Sequence, residues 1–501
     1  MPQTLPSPTG LLAAIDMGSN SFRLEIGQMR EGRYRRHLYL KETVRLGAGL
    51  DGDGMLTEEA ALRGLACLKR FRDGLTGLTA AQVRAVATQT LREARNRNAF
   101  LERAQAALGV PIEVISGREE ARLIYAGVSH LQPSEAKRLV IDIGGRSTEM
   151  ILGEGRQPTL AESFQVGSVS LSMRYFPDGR YTAPAFRAAQ VAAGAELEEA
   201  LAEYTPGRWQ EALGSSGTAG AVSEVLAASG KTDGRITPAG LRWLITECIA
   251  AGSVERIALP GLKPERRAVL AGGVAILYTL SAHFRIGELL PAKGALRQGV
   301  IIDLHDRLVA RHLARGHDLR DDSVQRLQRR FAVDREQARR VRDLALRWHH
   351  QIEPGAEVER QHELRWAAEL HEVGLMVSHH DHHRHSAYLV ANVDAAGFSQ
   401  SQQRRVAELV LGQRGGLRKI DEALTRQDVA WQLLCLRLAV IQCHARGAVD
   451  AAESIDIERR AQVAFLRWPN GWADQHPRAL HLLREEAEAW SRSGVLTLEL
   501  P

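Results

Sequence analysis

A repeated segment limits the folds open to this chain more than anything else in it. Ile15–Gly27 and Ile141–Gly153 match at five of thirteen positions. Each segment is a short apolar run that reaches an Asp, then a tight glycine-containing turn, then a second apolar run. This pattern predicts a β-hairpin with a small polar tip, present twice within the first three fifths of the chain.

The tips of both predicted hairpins suit an anionic ligand. Glycine lets the backbone approach a ligand and turn its N–H groups inward, and hydroxyl groups add donors. Asp16 and Asp142 end the first strand of each hairpin, and a carboxylate beside phosphate implies a divalent cation such as Mg²⁺ between them. The tip residues are Gly18, Ser19, Asn20, Ser21, Gly144, Gly145, Ser147 and Thr148.

A third glycine-rich turn, Gly214–Gly220, precedes an apolar segment with helical periodicity. This pattern predicts a loop that leads into a helix N-terminus, where free N–H groups favour phosphate. Ser216, Gly217 and Thr218 are its candidate contacts. Any one such turn is weak support for a phosphate site, but three in one chain indicate it together.

At this point the motifs resemble those of the exopolyphosphatase and guanosine pentaphosphate phosphohydrolase family. The similarity extends over nearly the whole chain, in the order seen in that family. The motifs are Asp16–Ser21, Thr88–Arg92, Ile115–Ala121, Asp142–Glu149 and Ser216–Thr218, with Leu370–Leu375 and His383–Tyr388 in the last third.

The resemblance implies tandem actin-like (ribonuclease H-like) α/β domains, then an all-α degenerate HD-like domain and a small α+β C-terminal domain. Arginine-rich segments after Asp306 have apolar residues at helical spacing, which agrees with a helical region. The predicted helices cover Ser323–Arg330, Arg335–Trp348 and Leu364–Leu375. The predicted division is a disordered N-terminus at 1–10, domain I at 11–130, domain II at 131–306, the helical domain at 307–448 and the C-terminal domain at 449–501.

The resemblance also assigns roles to individual residues. Glu120 is the expected general base that takes a proton from the attacking water, and its neighbour Glu119 is expected to face away from the cleft because the two lie on adjacent sides of a helix. Asp142 and Glu149 are the expected Mg²⁺ ligands, with Asp16 as a further direct or water-mediated one. Arg92 is an expected phosphate contact, since its guanidinium can donate two bonds to one phosphate.

Two positions depart from the family pattern. Arg146 stands where the second phosphate loop usually has a third glycine. Either its backbone is strained or its side chain adds positive charge beside the phosphates, and the second alternative is favoured. Gln298 stands where the family commonly has Glu, which questions any acidic role at that position.

The histidines of the last third invite a metal hypothesis. His371–Glu372 resembles the His-Asp doublet of nucleotide phosphohydrolases, but Glu replaces Asp and Arg437 lies where another acidic ligand would be expected. A second metal site is therefore not predicted. The basic residues here are candidates for holding a long anion: Arg384, Arg404, Arg405, Arg414, Arg418 and Lys419.

Composition and targeting signals restrict the expected cellular location and the chemical class of the partner. The first ten residues contain neither a basic nor an apolar targeting region, no apolar run is long enough for a membrane span, and the four cysteines are spaced like buried thiols, so a cytoplasmic protein is expected. The net charge is +5 with a pI near 9.1, while aromatic residues make up only 5%. This balance permits an anionic partner and argues against base-stacking recognition of nucleic acid.

The predicted function is Mg²⁺-dependent hydrolysis of the terminal phosphate of inorganic polyphosphate by a homodimer. The closest alternative is hydrolysis of guanosine pentaphosphate (pppGpp), which uses the same loops. Alternatives of a different class are an ATP-dependent kinase and a regulator that binds polyphosphate without turnover.

Overall fold

The computed structural model describes residues 10–312, 318–447 and 455–501. The chain divides into a first unit, Thr4–His317, and a second unit, Asp318–Pro501. Except for Gly10, the predicted disordered N-terminus lies outside the described residues, and so does the predicted boundary at 448/449. Among the described residues no helix has the length and apolarity needed to span a membrane. The four cysteines are buried free thiols, which confirms that prediction.

Five strands form the first sheet of the first unit: β1 (Leu11–Met17), β2 (Phe22–Arg30), β3 (Arg33–Glu42), β4 (Val83–Ala87) and β5 (Ile112–Val114). Their order is β3-β2-β1-β4-β5. The β1–β2 and β2–β3 pairs are antiparallel, whereas β4 and β5 continue the sheet in parallel. The apolar β1 is buried along nearly its whole length, which places the end that carries Asp16 inside the molecule.

The second sheet repeats this arrangement with β6 (Arg138–Ile143), β7 (Thr148–Glu154), β8 (Gln157–Phe164), β9 (Glu211–Gly214) and β10 (Leu290–Pro291). Its order is β10-β9-β6-β7-β8, with antiparallel β6–β7 and β7–β8 pairs and parallel β6–β9 and β9–β10 pairs. Both hairpins predicted from the repeat are therefore confirmed, and their sheets share one topology.

Helices cover and connect the two sheets: α1 (Glu58–Gly74), α2 (Gln89–Glu93), α3 (Arg97–Leu108), α4 (Gly117–Leu131), α5 (Ser168–Tyr175), α6 (Ala183–Leu197), α7 (Gly217–Ala228), α8 (Pro238–Ala251), α9 (Arg267–His283) and α10 (Leu296–His312). One apolar cluster joins Leu12 of β1 and Val140 of β6 to Leu123 of α4 and Val300 of α10. A Cβ atom on Gly299 would lie 1.7 Å from the Leu123 carbonyl oxygen, so glycine is what lets α4 and α10 touch. The boundary predicted at 306 falls inside α10.

The second unit consists mainly of helices: α11 (Leu319–Arg330), α12 (Arg335–Ile352), α13 (Val358–Leu370), α14 (His382–Asn392), α15 (Gln400–Gly412), α16 (Asp421–Leu424) and α17 (Gln427–Gln442). The helix predicted to run to residue 375 is wrong at its end, because α13 stops at Leu370. The Ser386 hydroxyl and the Gln413 amide donate hydrogen bonds to the His371 carbonyl at 2.9 and 2.7 Å, which satisfies this oxygen just after the helix end.

The C-terminal segment adds β11 (Asp456–Arg460), β12 (Val463–Arg467), α18 (Trp472–Gln475), α19 (Pro477–Ser493) and β13 (Thr497–Glu499). The sheet order is β11-β12-β13, and β13 was not predicted. Ile457, Leu466 and Leu498 share one apolar core with residues of α12 and α17. The strands and the helices of the second unit are therefore packed as one body.

Candidate active site

Residues of all three glycine-rich turns line one cleft in the first unit, with a volume of about 350 Å³. The predicted residues in its wall are Asp16, Gly18, Ser19, Asn20, Ser21, Glu120, Asp142, Gly144, Gly145, Ser147, Ser216, Gly217 and Thr218. Four other predicted residues, Arg92, Arg146, Thr148 and Glu149, do not line it.

The first turn joins β1 to β2 and is held by neighbouring segments. Thr90 donates a hydrogen bond to the Ser19 hydroxyl at 2.8 Å, and the Gly47 amide donates to the Ser19 carbonyl. Asp16 accepts a hydrogen bond from Arg23 Nη1 at 3.0 Å. The buried Ser21 hydroxyl has no hydrogen-bond partner in the described part of the chain, so a ligand oxygen would satisfy it.

The second turn joins β6 to β7, and a 2.8 Å bond from the Gly144 amide to the Ser147 carbonyl closes it. Asp142 lies at the end of β6 on the cleft side. The expected phosphate contact from Thr148 is not present, because its hydroxyl is buried and donates to the Val166 carbonyl at 2.6 Å. Thr148 therefore fixes the neighbouring backbone.

The third turn leads into α7, as predicted. The Ser216 hydroxyl caps this helix by accepting hydrogen bonds from the amides of Thr218 and Ala219 at 3.2 and 3.1 Å. A Cβ atom on Gly217 would lie 2.1 Å from Arg266 Nη2, so the glycine makes room for this guanidinium at the cleft.

Glu120 lies in the first turn of α4 and enters the cleft. Arg92 Nη1 donates to Glu120 Oε2 at 2.8 Å and to the Ile115 carbonyl at 3.0 Å. Glu119 forms a two-fold contact with Arg122, both distances being 2.8 Å, and is not part of the cleft wall. The prediction that only Glu120 of the pair faces the cleft is therefore confirmed.

Three carboxyl groups, of which Glu120 and Glu149 are buried and Asp142 is half-buried, hold their protons more tightly than usual. Burial raises the pKa of Glu120 to about 7, although the Arg92 charge opposes the shift, and burial raises the pKa of Asp142 to about 6. The pKa of Glu149 is well above its ordinary value because the group is buried and lies near Glu120 and Asp142. Mutual repulsion of this kind is typical of a site that binds a cation or moves a proton.

The carboxylates at the cleft do not form a complete metal site by themselves. In the described ranges, no group of three or more Asp, Glu, His or Cys side chains could hold a metal ion together. Asp16 is already paired with Arg23, and Glu149 accepts a hydrogen bond from Ser163 at 2.8 Å. The carboxylates still fit Mg²⁺, because this ion is commonly bound by one or two carboxylates and completed by water and substrate phosphate.

Arg146 does not have the role predicted for it. Its backbone lies outside the left-handed region, so no strain arises, and its side chain leaves the cleft wall. The guanidinium pairs with Glu93 through Nε at 2.9 Å and Nη2 at 2.5 Å, and donates to the Gly47 carbonyl at 3.2 Å. The expected positive charge is therefore largely neutralised by Glu93.

The second departure from the family pattern also has a local explanation. Gln298 Nε2 donates to both carboxylate oxygens of the buried Glu25 at 2.7 and 2.8 Å, and Arg297 Nε donates to Glu25 at 3.2 Å. A Glu at 298 would oppose the Glu25 carboxylate. Gln298 thus serves the placement of α10, and Arg297 lines the cleft.

Sequence reasoning missed the basic wall of the cleft, which includes Arg23, Arg36, Lys41, Arg266 and Lys293. Arg23 could have been found, because it lies at the start of β2, two residues after the tip residue Ser21. Arg266 precedes α9 and has no local sequence signal. It has no ion-pair partner in the part of the chain that the structure describes, and burial followed by repulsion from Arg23 lowers its pKa.

Comparisons with known proteins relate the chain to a phosphatase family. Residues 28–308 match the Ppx/GppA phosphatase family and residues 319–487 match domain III of Ppx/GppA phosphatases. A guanosine-5'-triphosphate,3'-diphosphate pyrophosphatase of Aeromonas hydrophila is 36% identical over 493 residues, which are 97% of each chain.

Solved structures show the same fold over about three fifths of the chain. An exopolyphosphatase-like protein has a TM-score of 0.54 at 25% identity, over 60% of this chain and 98% of its own. An exopolyphosphatase from Cytophaga hutchinsonii has a TM-score of 0.53 at 24% identity, with the same coverage. Paired sheets, three glycine-rich turns at one cleft and a match along nearly the whole sequence lead to one conclusion: the chain belongs to the Ppx/GppA phosphatase family.

Proposed function

We propose that the chain hydrolyses the terminal phosphoanhydride bond of a polyphosphorylated anion, with Glu120 as general base. The observation that carries this proposal is the position of Glu120, a buried carboxylate with a pKa of about 7 in a cleft walled by three glycine-rich turns. A base with a pKa near the working pH accepts a proton from water effectively. Backbone N–H groups and hydroxyls of the three turns would hold the phosphate oxygens.

Arg92 is proposed to orient the base. Its guanidinium is engaged with Glu120, with Gln89 and with the Ile115 carbonyl, so the role of phosphate contact predicted for it would require these bonds to open. Its charge also lowers the pKa of Glu120, which favours the unprotonated form that a base needs.

Mg²⁺ is the proposed cofactor, held by Asp142 and Glu149, with Asp16 through water. When bound, it would neutralise charge that develops on the phosphate oxygens. Support comes from the buried carboxylates, whose mutual repulsion a divalent cation relieves.

Guanosine pentaphosphate is the substrate we place first. The relative named for a guanosine 5'-triphosphate 3'-diphosphate matches 97% of both chains, so the likeness includes both units, whereas the exopolyphosphatase-like structure covers 60% of this chain.

Inorganic polyphosphate is the second candidate, and the character of the cleft favours it. Tyr39 is the sole aromatic residue of the described cleft wall, and Arg297 already lies 5.1 Å from the centre of its ring. A guanine base would therefore find little open surface for stacking, while a phosphate chain needs only cations and N–H donors.

Orthophosphate release from the two substrates, measured on one preparation, distinguishes them. A hundredfold preference for guanosine pentaphosphate would exclude polyphosphate as the main substrate, and the reverse preference would exclude the nucleotide. Family membership favours hydrolysis over the kinase alternative, so phosphate transfer to a sugar or acid without phosphate release would contradict the proposal.

Glu120→Gln tests the base. We expect kcat to fall by about 10²- to 10⁴-fold, because a general base is removed, while substrate binding changes little. Thr205→Ala, at an exposed residue outside the cleft wall, should retain full turnover. Undiminished hydrolysis by the Gln variant would refute the assignment, and a wild-type chain that binds but never hydrolyses would support the regulator alternative.

The second unit is proposed to be a degenerate HD-like domain without a catalytic metal. Arg437 pairs with the buried Glu486 at 2.5 and 2.6 Å, and Arg446 pairs with Glu372 at 2.5 Å. Ion pairs thus engage the positions where ligands would be expected. Homodimer formation and a cytoplasmic location stay predictions.

A further inference from the structure

A continuous series of hydrogen bonds leads from Arg146 to the proposed base. Arg146 pairs with Glu93 Oε2, and Glu93 Oε1 accepts a hydrogen bond from Gln89 Nε2 at 2.6 Å. Gln89 Oε1 in turn accepts from Arg92 Nε and Nη2 at 2.9 and 2.5 Å. Arg92 Nη1 completes the series on Glu120 at 2.8 Å.

This series joins the two sheets of the first unit. Arg146 belongs to the turn between β6 and β7 of the second sheet, whereas Glu93 and Arg92 belong to the short helix α2, which follows β4 of the first sheet. Helix α2 has only five residues, of which Gln89, Thr90 and Leu91 are buried. Arg92 and Glu93 at its C-terminal end are half-buried, and their side chains are held by these hydrogen bonds. The Arg146 side chain also rests against Gly47, where a Cβ atom would lie 2.9 Å from Arg146 Cδ.

We propose that Arg146 is a positioning residue: by pairing with Glu93 it fixes the side chains at the C-terminal end of α2 and so holds the Arg92 guanidinium on the carboxylate of Glu120. This inference rests on the proposed function. It explains why an arginine serves in a phosphate loop without lining the cleft. The hydrogen bonds also connect the turn between β6 and β7 to the base, so a displacement of this turn would change the position of Arg92 beside Glu120.

The expected consequence is a change in the acid limb of the pH profile. The charged groups that face Glu120 are Arg92 of α2, Asp16 of β1, Asp142 of β6 and Glu149 of β7. Only Arg92 among these lowers the pKa of Glu120. If its contact loosens, the pKa rises and a higher pH is needed to free the base.

The test compares Arg146→Gly with Glu93→Ala. Each variant should lower kcat at pH 7 by about 5- to 30-fold, with KM changed less than threefold, and should regain most of the loss at pH 9. The double variant should lose no more than either single one. Arg103→Ala, which breaks the exposed pair with Glu58, is the control and should keep the wild-type profile.

The two variants also distinguish a positioning role of Arg146 from a direct electrostatic effect of its charge on Glu120. Removing the Arg146 cation raises the pKa of a carboxylate through space, whereas removing the Glu93 anion lowers it. Acid limbs that move upward in both variants support the proposal. Acid limbs that move in opposite directions, or equal losses at every pH, overturn it.

A measurement without substrate keeps this inference separate from the proposed function. Arg146→Gly and Glu120→Gln do not touch the same group directly, so independent sites would give additive shifts of the unfolding midpoint. We expect the double variant to deviate from additivity by about 2 °C or more at pH 8. Additive shifts would overturn the positioning role of Arg146 even if the chain proves to be a hydrolase. Non-additive shifts would support this role even if neither substrate is hydrolysed.

Discussion

Buried carboxyl groups dominate the chemistry of the cleft at the scale of single residues. Glu120 and Glu149 are buried, Asp142 is half-buried, and the three lie close enough to repel one another. Ordinary cores avoid such groups unless they are paired, because an isolated buried charge is costly. Their presence beside one cleft is typical of a functional site, where stability is lost in favour of activity.

Glu149→Gln should therefore stabilise the chain in neutral solution without metal. The folded-state pKa of Glu149 is raised, so the folded state keeps its full stability below the unfolded pKa of 4.5 and loses stability as pH rises toward the raised value. A glutamine side chain cannot ionise, so the Glu149→Gln variant does not lose stability in this way. Thermal unfolding at pH 8 should show a midpoint higher by about 2–6 °C, while the two proteins should agree near pH 4.

Added Mg²⁺ provides the control for the comparison of the wild type with Glu149→Gln. It should raise the midpoint of the wild type more than that of the Gln variant, since one proposed ligand is missing. Equal shifts in both proteins would show that Glu149 does not hold the ion.

At the scale of elements, the contact between α4 and α10 sets the position of Glu120. Gly299→Ala would place a methyl group against the Leu123 carbonyl, so we expect a loss of about 1–3 kcal/mol in the free energy of unfolding and reduced turnover. Gly220→Ala is the matched control in α7, because a Cβ atom there meets no neighbour within 4 Å. That control should be neutral or more stable, and an equally stable Gly299 variant would contradict the packing argument.

A buried ion cluster also holds α4 and α10 together. Asp303 of α10 accepts hydrogen bonds from Arg84 and Arg122 at 2.6 Å and from Arg307 at 2.7 Å. Asp303→Asn should destabilise the chain by about 3–5 kcal/mol, because three arginines lose a shared buried anion. Denaturant unfolding measures the loss. Glu58→Gln, in an exposed pair, should leave the unfolding midpoint unchanged.

At the scale of the whole molecule, the basic residues matter by where they lie. The net charge is only +5, yet Arg23, Lys41 and Arg266 meet at one cleft. Opposite charges attract a polyanion over several ångströms, and salt screens this attraction.

Catalytic efficiency should consequently depend on ionic strength. We expect kcat/KM to fall by about tenfold between 50 and 500 mM salt, with kcat less affected. Lys41→Gln should show a shallower dependence, because one attracting charge is gone. A slope unchanged by salt in the wild type would exclude electrostatic capture at this cleft.

Local chemistry was enough to find the hairpins, the three turns and the helical second unit. Asp16 and Asp142 end apolar strands, glycine and hydroxyl residues follow them, and these properties are carried by neighbours in the chain. The errors concern side chains whose partners are distant in sequence. Thr148 bonds to Val166, Arg146 pairs with Glu93, and α13 ends where Ser386 and Gln413 satisfy a carbonyl.

Turn chemistry and strand periodicity act between adjacent residues, so the linear order of this protein already specified its repeated hairpins and its three glycine-rich turns, while the candidate base followed from the resemblance of its motif to the family. The direction of each long side chain, the basic wall of the cleft and the series from Arg146 to Glu120 depend on groups that meet only when the two sheets pack together. The pKa shifts of the cleft carboxyl groups depend on burial, which exists only in the folded chain.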